Sequence, residues 1–196
     1  MKIGLIRYSG GNVRSLRSAI ESLGAQVLYS DNPQELSACD GLIFPGVGFA
    51  GEAVRDLQAA GLWAWLPTWD RPFLGICLGM QLLGGYCAEG EVPGLGIFAY
   101  EVLPFAKSPR RIHIGWNIVA WRANHPLARG LPERFYAYFV HGYRASVGAE
   151  TLAESVYGEP FSAVVGKDNF FGVQFHPEKS SKHGLILLKN FLDLCR

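Results

Sequence analysis

Cysteine is scarce in this chain, only four in 196 residues, and so is net charge, with a formal total of +1. Cys39, Cys77, Cys87 and Cys195 form no C-x-x-C pair and stand at no zinc-ligand spacing with histidine, so no metal site is expected. A disulfide scaffold is excluded too, since a domain this large builds its own core and leaves unpatterned thiols reduced. The eighteen basic residues are scattered, with no stripe to follow a phosphate backbone, which excludes nucleic acid as a partner. No apolar run approaches the roughly 18 residues of a membrane span. Met1 to Gly10 contains Arg7 and too short an apolar stretch for a signal peptide. Neither membrane nor export is expected, and the location is expected to be cytoplasmic. The phosphate-loop pattern G-x-x-x-x-G-K-[ST] is also missing.

What is present is a globular composition, 49% apolar and 18% charged, sized for a single domain over residues 1–196. The first half alternates strand and helix. Lys2 to Arg7, Ala25 to Tyr29, Gly41 to Phe44 and Pro72 to Ile76 read as short buried strands. Val13, Leu16, Ile20 and Leu23 recur at helical spacing up to Gly24, Glu52 to Ala60 reads as a second helix, and Leu78 to Leu83 opens another. Such alternation implies a parallel sheet with helices on its faces. The second half holds strand-like runs at Ile97 to Phe105, Ile112 to Trp121, Phe135 to Val140, Tyr143 to Val147, Thr151 to Tyr157, Ser162 to Lys167 and Phe170 to Phe175, joined by short turns. A last helix, about Ser181 to Leu194, is expected to turn Leu185, Leu188 and Leu192 inward. The expected fold is α/β: one mixed, mostly parallel central sheet flanked by helices, with an antiparallel extension in the second half.

Gly75-Ile76-Cys77-Leu78-Gly79 sits where a strand turns sharply into a helix, a cysteine version of the nucleophile elbow. Side chains flanking a strained elbow would collide with neighbouring backbone, hence the glycines. The following helix aims free N–H groups at the sulfur and favours thiolate. The alternative is an inert cysteine at a buried strand end. A thiolate nucleophile needs a proton carrier and a group that orients it. Of the five histidines, only His176 has a carboxylate two residues on, in Phe175-His176-Pro177-Glu178. It lies just past an apolar strand, where ligands of parallel sheets bind. Pro45-Gly46-Val47-Gly48 ends the third strand. Backbone N–H groups near Val47, Gly48 and Leu78 are candidates for holding an oxyanion. A plain strand-ending turn is the competing reading.

These three segments, in this order, resemble class I (triad) glutamine amidotransferases. Gly75 to Leu83 (GICLGMQLL) and Phe171 to Ser180 (FGVQFHPEKS) carry that likeness, and Asn12 in the first glycine-rich turn also fits. His113-Ile114-Gly115-Trp116-Asn117 and Tyr138-Phe139-Val140-His141 resemble the branch that supplies ammonia to imidazole glycerol phosphate synthases of histidine biosynthesis. The resemblance implies a Cys77, His176 and Glu178 triad that hydrolyses glutamine with no metal and no cofactor. It implies that Gly48, Gln81, Glu89, Gly142 and Tyr143 bind glutamine. It also implies that Asn12, Trp116, Asn117, Tyr138 and Lys179 lie near a (β/α)8-barrel cyclase partner. In that partner, ammonia would yield imidazole glycerol phosphate and an aminoimidazole carboxamide ribotide.

The chain departs from the family pattern at Arg7, which stands for aspartate, at Gly84 to Cys87, and at Gly142, which stands for serine or threonine. Two further readings therefore stay open: an amidotransferase serving another acceptor such as a sugar nucleotide, and a stand-alone γ-glutamyl hydrolase. A non-catalytic interaction subunit is disfavoured by the complete triad.

Overall fold

The computed structural model describes residues 1–10, 13–108 and 110–196. The first half runs β1 (Lys2–Ile6), α1 (Arg14–Ser22), β2 (Gln26–Ser30), α2 (Pro33–Leu36), β3 (Gly41–Phe44), α3 (Ala50–Ala59), α4 (Leu62–Trp65), β4 (Phe73–Ile76) and α5 (Leu78–Gln81). Three short strands follow: β5 (Tyr86–Cys87), β6 (Val92–Pro93) and β7 (Glu101–Pro104). The rest comprises β8 (His113–Trp121), β9 (Arg134–His141), β10 (Tyr143–Ala145), β11 (Thr151–Tyr157), β12 (Glu159–Lys167), β13 (Phe170–Val173) and α6 (Ser181–Leu194).

Nine strands form the main sheet in the order β2-β1-β3-β4-β13-β12-β11-β8-β9. Pairings from β2 to β13 are parallel, and those from β13 through β12, β11 and β8 to β9 are antiparallel. The expected mixed sheet with an antiparallel extension is what forms. The parallel part is covered on both sides, which explains why β3 and β4 are uninterrupted buried runs. Leu5, Ile43 and Leu74 face one core with Leu16, Ile20 and Leu188, while Ile6, Leu42 and Phe73 face the other with Val54 and Leu57.

Two local expectations fail. Of the expected strand Ile97 to Phe105 only Glu101–Pro104 forms, and with β10, β5 and β6 it makes a separate four-stranded sheet. In α6 the buried stripe runs through Gly184, Leu187, Leu188 and Phe191, and Leu185 is 39% exposed. That stripe follows the i, i+3, i+4, i+7 rule starting at Gly184, which presses on the turn after β13. A Cβ there would stand 1.9 Å from the Pro177 carbonyl oxygen. Among the described residues, no helix is long and apolar enough to cross a membrane.

The parallel order brings the carboxyl ends of β1, β3, β4 and β13 side by side. Their junctions are packed backbone against backbone. A Cβ on Gly46 would lie 1.7 Å from the Ile76 carbonyl oxygen, and one on Gly79 2.1 Å from that of Phe44. Gly75 would meet the Gly79 carbonyl at 2.6 Å. Gly79→Ala should therefore destabilise the protein by about 1–3 kcal/mol, the usual range for forced overpacking. Gly85→Ala, which meets nothing within 4 Å, should stay within about 0.5 kcal/mol of wild type. Urea unfolding of both variants checks this; equal stabilities would contradict the packing argument.

Candidate active site

Cys77 terminates β4 with φ 50° and ψ −106°, a left-handed backbone that a side chain adopts only under constraint. Its N–H donates to the Val173 carbonyl at 2.7 Å, which ties the elbow to β13. The helix after it, α5, has only one turn, shorter than the expected run to Leu83 because Leu83 and Gly84 close back on Met80 and Gln81. Its contribution is therefore local N–H groups more than a summed dipole.

His176 follows β13 and is 3% exposed. Its Nδ1 is 3.0 Å from Glu178 Oε1, across the single turn Pro177–Lys179. Burial works against a charge on the ring, but hydrogen bonds to Cys77 and Glu178, and the charges of both, outweigh it and raise the His176 pKa to about 10. The ring is thus held as an imidazolium between a sulfur and a carboxylate. Ser180 fixes the turn: its hydroxyl donates to the His176 carbonyl at 2.7 Å and accepts from the Tyr138 N–H at 2.9 Å. The second Glu178 oxygen, Oε2, is buried with no hydrogen-bond partner among the described residues.

A cleft of about 310 Å³ opens over the sulfur. Gly46, Val47, Gly48 and Leu78 form one wall; Gln81, Glu89, Gly142 and Tyr143 form another, and His176 and Lys179 stand at its side. Every residue expected to touch substrate therefore lines one cavity, while Glu178 lies behind His176. Burial raises the pKa of Glu89, only partly offset by the Ala50 N–H on its Oε2 at 3.0 Å. The expected oxyanion donors are not all free: the Val47 N–H donates to the Tyr8 hydroxyl at 3.0 Å.

The expected partner-facing residues separate. Trp116, 53% exposed, packs edge-on against Tyr138 across the β8–β9 pairing. With Ile114, Tyr136 and Val140 it makes an exposed apolar row that reaches the cleft at Val140. Asn117 points the other way, as strand alternation requires. Its amide donates to the Val156 carbonyl at 2.9 Å and lies 3.3 Å from His113 Nε2, on the face opposite Trp116. Asn12 lies outside the described residues. The departure at Arg7 is answered locally by Asp31, 2.6 Å away. Gly84 is required by packing, since a Cβ would stand 2.6 Å from the Tyr100 ring.

Sequence reasoning missed three participants. Gln174 is fully buried; its amide donates to Cys77 Sγ at 3.5 Å and accepts from Gln81 at 3.1 Å. His113 and His141 are buried in contact, with Nδ1 of the first 3.0 Å from Nε2 of the second, and His141 Nδ1 is 2.8 Å from the Tyr143 carbonyl. The Asn117 donor fixes every proton: His113 Nε2 accepts, His113 Nδ1–H donates to His141, and His141 Nδ1–H donates to Tyr143. The only sequence signal for these residues is their place beside GWN, HGY and FHPE.

A cysteine, a buried histidine and a buried carboxylate at the ends of adjacent parallel strands, beside a glycine loop, suit acyl transfer from an amide. The chain matches the family model "Glutamine amidotransferase class-I" over residues 5–194 and belongs to that family. Relatives include the imidazole glycerol phosphate synthase subunit HisH of Bacteroides thetaiotaomicron, 42% identical over 99% of this chain and 100% of its own length. The subunit of the same name from Vibrio cholerae is 44% identical over 93% of this chain and 94% of its own. Among solved structures, PurLQS from Thermotoga maritima superposes with a TM-score of 0.79 at 19% identity, covering 100% of this chain and 99% of that one, a likeness of fold.

Burial lowers the His113 pKa from 6.5 to about 4, and lowers that of His141 to about 3 in spite of its bond to Tyr143. Below 6.5 the unfolded chain takes up protons at these rings while the native state does not. Stability should therefore fall as pH drops from 6.5 towards 4, and these rings should add no pH dependence above that window. His113→Gln, which cannot titrate, should flatten the slope by at most about 1.4 kcal/mol per pH unit. Urea midpoints across this range check it, and an unaltered slope would contradict it.

Proposed function

We propose that this chain, as one amidotransferase domain over residues 1–196, is the glutaminase subunit of an imidazole glycerol phosphate synthase. The observation that carries the reading is His176, buried, hydrogen-bonded to Glu178 and lining the same cleft as Cys77. Similarity to the two HisH subunits along nearly the whole chain supports the choice of acceptor.

Cys77 thiolate attacks the carbon of the glutamine side-chain amide, and the carbonyl π pair moves to oxygen. The resulting oxyanion takes hydrogen bonds from the Leu78 N–H and from the loop at Val47 and Gly48. His176 gives its proton to nitrogen as the C–N bond breaks, and ammonia leaves a γ-glutamyl thioester on Cys77. Water, deprotonated by His176, then attacks the thioester and releases glutamate and thiolate. Glu178 holds the ring orientation and balances its charge. Gln174, donating to the sulfur, keeps the thiolate directed at the cleft. The substrate's α-ammonium group suits the Glu89 carboxylate, and Gln81 with the backbone at Gly142 and Tyr143 shapes the rest. No metal or cofactor enters these steps.

The ammonia passes to a (β/α)8-barrel cyclase that docks on the apolar row of Ile114, Trp116, Tyr136, Tyr138 and Val140, with Lys179 at the cleft's rim. A stand-alone hydrolase would have no use for so much exposed apolar surface beside its active site.

Cys77→Ala should abolish glutamine-dependent synthesis by the complex while leaving synthesis from added ammonium salt intact. Glutamine-supported turnover by that variant, measured against a no-enzyme control, would overturn the assignment. His176→Ala should lower glutamine hydrolysis in the complex by roughly 10²–10⁴-fold. Glu178→Gln should lower it less, because a neutral amide still positions the ring. Equal losses in the two variants would show that Glu178 does more than orient.

A further inference from the structure

Tyr8 lies just past β1, next to the glycine loop that follows β3, and its ring is 7% exposed. The hydroxyl sits among three backbone groups of that loop. It is 2.6 Å from the Val47 carbonyl oxygen and 3.0 Å from that of Pro45, and it accepts the Val47 N–H at 3.0 Å. Phe44 packs edge-on against the ring, with centroids 5.5 Å apart. The chain on either side is pinned: Ser9 N–H donates to Asp56 Oδ2 at 2.7 Å, and Arg7 pairs with Asp31. Gly10 closes on the loop so tightly that a Cβ would stand 2.7 Å from the Val47 carbonyl oxygen.

The Val47 N–H is therefore tied to a phenol and not directed to substrate. To serve an oxyanion, the peptide between Gly46 and Val47 has to turn over. That peptide owns the Val47 N–H but neither of the carbonyls near the Tyr8 hydroxyl, which belong to the peptides before and after it. Turning it breaks the bond Tyr8 accepts and leaves the bond Tyr8 donates intact. Gly46 and Gly48 flank the turn, and Gly48 already holds φ +125°.

We propose that Tyr8 is a positioning residue that latches the oxyanion loop in its resting arrangement and so sets the glutaminase rate of the subunit without its partner. This rests on the reading that the Val47 N–H is an oxyanion donor. A single neutral hydrogen bond biases a two-state peptide by roughly two- to tenfold. A partner or acceptor that activates the site overcomes that bias by binding the turned arrangement more tightly. Tyr8 acts on the loop alone and never on the substrate.

The test is Tyr8→Phe, which keeps the ring and removes the hydroxyl. Glutamine hydrolysis is measured for the chain alone and for its complex with the cyclase subunit saturated with an acceptor analogue. The rate of the lone chain should rise roughly two- to tenfold, while kcat of the saturated complex stays the same, so the activation ratio shrinks. An unchanged or lower rate for the lone chain, or the same rise in both states, would overturn the latch. Val47→Pro, which has no N–H to donate, separates the two ideas. If its complex keeps the wild-type rate, the oxyanion reading fails. If its complex loses roughly 10²–10³-fold and Tyr8→Phe behaves as wild type, only the latch fails.

Discussion

The close approach of bare backbones at Gly46, Gly75 and Gly79 is the constraint on which the rest of this site depends. The ends of β3 and β4 and the start of α5 meet there without a Cβ between them, and that contact is what permits Cys77 its left-handed conformation. A strained residue persists only where its surroundings over-determine it. Here the surroundings are the Val173 carbonyl on one side and the Phe44 and Ile76 carbonyls on the other. The backbone that carries the sulfur is packed on both sides, while Val47 and Gly48, lining the same cleft, are exposed. One half of the site is held still by packing, and the other is the half that the Tyr8 proposal requires to turn.

The still half is reinforced by a continuous polar network. It runs from Asn117 through His113 and His141 to the Tyr143 carbonyl, then through Gln81 and Gln174 to the sulfur. Each donor faces an acceptor, so the network has one consistent arrangement of protons. A fully satisfied buried network specifies geometry in a way that apolar packing alone does not. It also joins the strand bearing Trp116 to the nucleophile through bonds rather than through side-chain packing.

Much of this was legible in the sequence for steric reasons. Gly75 and Gly79 are the spacing a sharp turn demands, and the clearances in the structure give that demand a size. The parallel half was legible because strands buried on both faces are continuous apolar runs. The β5 and β6 strands were not, since two residues carry no alternation to read. Tyr8, Gln174 and the histidine pair were hidden for a different reason. The contacts of Tyr8 with Val47, His113 with His141 and Gln174 with Cys77 span 28 to 97 residues, so no local period announces them. Asn117 stands next to Trp116 in HIGWN, yet a strand sends neighbours to opposite faces, and its amide meets Val156 and His113. Leu185 likewise stands one position round the helix from the stripe that Gly184 begins.

The central claim is that Cys77, and no other thiol, forms the bond to glutamine. The other three cysteines are poor rivals on physical grounds: burial raises the pKa of Cys39, that of Cys87 to about 11 and that of Cys195 to about 12. The direct measurement is peptide-resolved mass spectrometry of the synthase complex after exposure to a glutamine analogue carrying an electrophile in place of the side-chain amide. The account predicts one adduct per chain, on Cys77, formed more slowly when glutamine is added and lost in His176→Ala. An adduct on Cys39, Cys87 or Cys195 instead, or a Cys77 adduct indifferent to glutamine, would contradict it.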